Sequence, residues 1–204
     1  RRAPGCPSRR QRDQMTAAAW QRLGKELDAW GEAGRTATLW WRDDDAVAPG
    51  PKLKKLVEVS GNAGLLLAVI PSKCESELPG MLSHYPQVRI AQHGYAHINH
   101  APRGQGLGAW ELGLHRPMGV VLAELEMGQE QLKIFFGDTF LPVVVPPWNR
   151  IDPLLFEPLA ARGYRAVSAF GARSINHLAH GLETVNAHCD PIRWKTGAIF
   201  GGEM

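Results

Sequence analysis

Trp40-Trp41-Arg42-Asp43-Asp44-Asp45 is an apolar run that ends abruptly in three acids. Residues 36–41 are β-branched, aromatic or apolar, a pattern that predicts a buried strand, and the C-terminal ends of strands are where α/β folds carry their chemistry. Three adjacent carboxylates repel one another and weaken a fold unless a positive group sits among them. A divalent cation satisfies that need; a solvated acidic turn is the alternative for a triplet taken alone.

The remaining segments repeat the arrangement. Residues 49–61 place Leu53, Leu56, Val57 and Val59 among lysines, a helical pattern, and 65–70 form a continuous apolar strand of the kind found in sheets covered on both faces. A short helix is expected over 75–84, a strand over 88–91, a helix over 120–136 and a strand over 143–145 that runs into Pro146-Pro147-Trp148-Asn149. Further along, 152–162 read as helix, 164–169 as strand and 183–188 as a last strand. Strands alternating with helices predict a parallel α/β sheet or barrel. Residues 101–117, rich in Gly and Pro, read as a long loop over the site.

Composition sets the outer limits. With 204 residues, 44% of them apolar, the chain is long enough for one domain with a real core. Residues 1–14 hold five arginines against one aspartate, a balance of +4, so of the net +3 the remainder carries −1. That balance argues against a nucleic-acid partner for the body. No apolar run approaches the roughly 18 residues of a membrane span, and the first fourteen residues have no apolar stretch of a secretory signal. A membrane partner is therefore not expected, and a cytoplasmic location is. Cys6, Cys74 and Cys189 are odd in number and form no CxxC pattern, which fits a reducing compartment. The expected organisation is a disordered basic tail or upstream extension over 1–14, an amphipathic helix over 15–35 built on Trp20, Leu23, Leu27 and Trp30, and a catalytic domain over 36–204.

The strand at 88–91 leads into Gln92-His93-Gly94-Tyr95-Ala96-His97. Histidines four apart share one face of a helical turn, so both imidazoles can reach one ion. Joined to an Asp pair at another strand end, they make an Asp-His-His set that leaves coordination positions open, as catalytic sites do.

In this order of motifs the chain resembles the polysaccharide deacetylase (NodB-homology, carbohydrate esterase) family over roughly residues 36–190. The matching pieces are Asp43-Asp44, His93 with His97, Pro146-Pro147-Trp148, and His188. The resemblance implies a distorted (β/α)7-type barrel, incomplete at the C-terminus if the sixteen residues after His188 are too few to close it. It implies metal-dependent removal of an acyl group, an N-acetyl group above all, from an amino sugar or related amide. A non-catalytic member that keeps the cation for carbohydrate binding or regulation is the alternative. By the same resemblance Asp43 is the general base and His188 the general acid; Asp190, two residues on, is placed by its spacing to orient His188 whether or not that histidine is the acid. Asp44, His93 and His97 hold one divalent ion, for which two imidazoles and a carboxylate suit Zn, Co or Ni. Trp148, Asn149, Arg42 and Tyr95 are the substrate-binding candidates.

The chain departs from the pattern at Val145, which stands where the family has an arginine holding the base, leaving Arg42 or Arg150 for that task. Among the three acids, the register Asp43 base and Asp44 ligand is preferred over Asp44 base and Asp45 ligand, with Asp45 at the position of a turn glycine.

Overall fold

A computed structural model describes residues 9–171, 181–190, 192–193 and 199–200. The chain divides into two units, one of Arg1–Leu39 with Cys189–Met204 and the other of Trp40–His188. The first holds helix α1 (Arg9–Glu32) and a two-stranded antiparallel pair, β7 (Ile192–Arg193) with β8 (Ile199–Phe200). Helix α1 starts before Met15, inside the stretch expected to be disordered, and Trp20, Leu23, Leu27 and Trp30 along it are exposed.

The second unit is α/β. Its strands are β1 (Trp41–Ala46), β2 (Leu65–Val69), β3 (Val88–His93), β4 (Phe140–Val145), β5 (Ala166–Val167) and β6 (Glu183–Thr184). Its helices are α2 (Pro51–Ser60), α3 (Leu78–Leu82), α4 (Met118–Phe136) and α5 (Phe156–Ala161). The six strands form one parallel sheet in sequential order, β1 to β6. A sequential parallel order requires every crossover to run the same way, so right-handed connections leave the helices on one face and the sheet bends away from them. Its curl is visible in one side chain. Arg42 on β1 bonds to Ser168 and Ala169, just past β5. Those strands lie four spacings apart, about 19 Å in a flat sheet, farther than an arginine reaches.

Alternation along the strands sorts the two faces. Leu65, Leu67 and Val69 of β2 and Val88 and Ile90 of β3 pack with Val57, Leu78, Leu82, Leu132 and Phe136 on the helix-covered face. Leu66 and Ala68 of β2, Ala91 of β3, and Val143 and Val145 of β4 meet on the inner face. A second apolar cluster joins Val121, Leu122 and Leu125 of α4 to Val144, Leu155, Leu159, Tyr164 and Val167. The larger cluster seats the helices on the outer face.

Two local expectations are corrected. The first strand is Trp41–Ala46, so the acids lie within it and do not follow it. Pairing with β2 explains the shift, because Trp41 is opposite Leu65, which starts the buried β2 run. The His93–His97 spacing is not helical either. His93 ends β3, and His97 sits in the loop beyond it with φ 56°.

Candidate metal and catalytic site

The β1–β2 register decides which acids meet. Arg42 pairs with Leu66 and Asp43 with Leu67, whereas Ala46 pairs with Val69, so β1 carries one extra residue between Asp43 and Ala46. Paired residues of parallel strands share a face. Asp43 therefore sides with Leu67, towards the helices, and Arg42 with Leu66, inwards. The extra residue is a bulge of the kind that re-aims side chains at strand ends, and Asp45 takes its left-handed conformation with φ 69°. This geometry differs from the preferred register. Asp44 and Asp45 are the two acids turned to the site, and the carboxylate that reaches the histidines is Asp45, not Asp44.

Asp45 Oδ1 lies 3.2 Å from His93 Nε2 and 3.3 Å from His97 Nε2. One ligand atom from each of these residues falls within 4.8 Å of the other two. Donors held about 2.1 Å from a tetrahedral ion are about 3.4 Å apart, so the set fits a divalent cation. His93 is 2% exposed and its Nδ1 faces Val145 O at 2.9 Å, which puts the ring proton on Nδ1 and leaves the Nε2 lone pair for a ligand. The hydrogen bond from His93 holds the Asp45 carboxyl below its ordinary value; burial opposes it, and the charges of His93, His97 and Lys73 add to it. The Asp45 side chain is 61% exposed, so the set opens to solvent.

Arg42 organises the neighbouring acid. Its Nη1 donates to Ser168 O at 2.9 Å, Ser168 Oγ at 3.1 Å and Ala169 O at 2.8 Å, and its Nη2 to Asn149 Oδ1 at 2.7 Å. Asp44 Oδ2 accepts from Nη2 at 3.2 Å, and Oδ1 is 3.0 Å from Nε but out of hydrogen-bond alignment. Of the two arginines left open by the sequence, Arg42 is the one that holds an acid. Arg150 instead donates to Ala109 O at 3.1 Å. Asp43, facing the helix layer, has its carboxyl pushed up to about 6 by burial and by Asp44 and Asp45 beside it.

The other predicted residues fall as follows. Trp148 packs its ring 4.3 Å from that of His97, and both Trp148 and Asn149 adopt left-handed backbone in the turn after β4. Tyr95 lies in the His93–His97 loop, and its carbonyl accepts from Ser72 N at 3.0 Å. His188 is exposed and follows Ala187, whose backbone bridges Phe170 beyond β5; no hydrogen bond or ion pair joins it to the three donors. Asp190 Oδ1 accepts from Ile192 N at 2.8 Å.

Two residues that local pattern could not single out support the site. Glu111, in the stretch read only as a loop, is fully buried, and its Oε1 accepts from Ala96 N at 2.7 Å and His97 N at 3.0 Å. Gln92 donates to Gly94 O at 2.9 Å and Leu125 O at 3.0 Å, and Tyr164 Oη lies 2.7 Å from Gln92 Oε1. Burial drives the Tyr164 phenol up, so it stays a neutral donor.

No family model and no curated protein matches the chain. Among solved structures it is similar to the Xyl-CE4 domain of a multidomain xylanase from the hindgut metagenome of Trinervitermes trinervoides, at 12% identity and a TM-score of 0.47, over 72% of each chain. Among the described residues no helix is long and apolar enough to cross a membrane.

Proposed function

We propose that this protein is a metal-dependent hydrolase that removes an acyl group, most simply N-acetyl, from an amino sugar or related amide. The observation that carries the reading is the convergence of Asp45, His93 and His97 beside a second carboxylate, Asp44, gripped by Arg42. Asp45, His93 and His97 would hold a divalent ion, which would supply Lewis acidity towards the amide carbonyl and make a water easier to deprotonate. Asp44 then acts as general base, taking the water's proton as its oxygen attacks the carbonyl carbon. Arg42 keeps Asp44 oriented for that task. As the carbon–nitrogen bond breaks, the departing nitrogen needs a proton, which we assign to His188 on the strength of the motif order. Trp148, packed against His97, offers an apolar wall for the acyl methyl.

Two acid variants test this, with acetate release from acetylated chito-oligosaccharides and small acetamides as the readout in Zn, Co or Ni. Asp45→Asn is expected to lose the ion. Asp44→Asn should keep the ion and lose about 10²–10⁴ in turnover. A retained ion in Asp45→Asn, or full turnover in Asp44→Asn, defeats the reading. An ion bound with no turnover on any acetylated substrate favours the binding or regulatory alternative.

A further inference from the structure

Glu111 is a buried carboxylate with no place in the chemistry proposed above. It is 0% exposed, and only one of its oxygens is used: Oε1 accepts from the consecutive amides of Ala96 and His97, while Oε2 is buried with no hydrogen-bond partner. A half-satisfied buried carboxylate destabilises a fold, and an apolar side chain of the same size would fill the space more cheaply. The loop it grips is also strained. Gly94 and His97 both have φ 56°, a conformation that a histidine adopts at a cost. A Cβ on residue 94 would collide with Glu111 Oε2 and lie 2.7 Å from Pro147 Cγ. Gly94 therefore leaves the room that Glu111 occupies.

We propose that Glu111 is the positioning residue of the metal site: its carboxylate fastens the Ala96–His97 backbone in the left-handed turn that directs His97 Nε2 at Asp45 and His93, with Gly94 making the space. Consecutive amides of such a turn form a concave anion cradle, here filled by a side chain of the same protein. The inference rests on the reading of Asp45, His93 and His97 as ion ligands.

Cobalt(II) binding tests it independently of turnover. The wild-type chain, Glu111→Gln and Glu111→Met are compared by calorimetry, by the visible Co(II) spectrum and by thermal melting in chelator. Gln keeps an oxygen for the two amides, and Met keeps the volume without an acceptor. Glu111→Met is expected to bind Co(II) about 10–100-fold more weakly and with an altered spectrum, the usual effect of losing a group that orients a ligand. Glu111→Gln should stay within a few-fold of wild type. Wild-type affinity and spectrum in Glu111→Met overturn the inference, as does Glu111→Gln binding as weakly as Glu111→Met. A Glu111→Met chain that fails to fold in chelator also overturns it, in favour of a purely structural carboxylate. If the wild-type chain binds no Co(II), the metal-site reading itself falls.

Discussion

Replacing Arg42 by alanine is expected to cost the protein a large part of its stability, because a buried fork of donors is lost at once. The Arg42 side chain is 7% exposed and bonds across the curled sheet to Ser168, Ala169 and Asn149, as well as to Asp44. Removing one member of a buried ion pair costs about 3–5 kcal/mol, since the other charge is stranded. Asp44 is 29% exposed, and solvent screening brings the figure to the lower end, about 3 kcal/mol. For a chain of this length that lowers Tm by roughly 6–12 °C. Lysine restores the charge without the planar fork and should recover roughly half of the loss. Urea titration at pH 7 in chelator measures each variant, and the double variant Arg42→Ala/Asp44→Ala completes a cycle. If Asp44 is held by Arg42, the double variant is less damaged than the sum of the single ones by about 1–3 kcal/mol. A loss below about 1 kcal/mol in Arg42→Ala, or a cycle with no coupling, refutes the role given to this residue.

Other outcomes follow from the same geometry. The Asp43 carboxyl titrates near 6 in the folded chain against 3.8 when unperturbed, so folding favours its protonated form. That contribution is present at low pH and is lost as pH rises through 6. In chelator, Asp43→Asn should therefore match wild type near pH 4 and exceed it by about 1–2 kcal/mol at pH 8, after discounting for partial exposure. Equal stabilities at both pH values would sink the placement of Asp43 against the helix layer. Cys74 is half-buried and its thiol is pushed up to about 11, by burial first and then by Glu75. About one molecule in a thousand is thiolate there at pH 8, so iodoacetamide should label exposed Cys189 well before Cys74. Peptide mapping over time checks the order, and faster labelling of Cys74 contradicts its burial.

Much of the fold was legible because periodicity is local. Residues 65–70 and 88–91 read as strands from their apolar runs and 120–136 as a helix from its spacing, where the structure has Leu65–Val69, Val88–His93 and Met118–Phe136. The helical and strand pattern in alternation also called for a parallel α/β sheet, which the second unit has. The histidine pair and an acidic partner were visible for the same reason, as residue types whose chemistry does not depend on context.

Tertiary pairing decided the rest. The choice between Asp44 and Asp45 turns on one extra residue in β1, which is defined only against β2 and is silent in a run of three identical acids. Whether Arg42 or Arg150 holds the base depends on the curl of the sheet, which brings Ser168 and Ala169 within reach of β1. Glu111 reaches the His97 backbone from 14 residues away in sequence, through a loop with no periodic pattern. Local sequence fixes which side chains are apolar, acidic or ligating, because those are properties of single residues. Which of them meet is set by strand register and sheet curvature, and these arise only when distant segments pair.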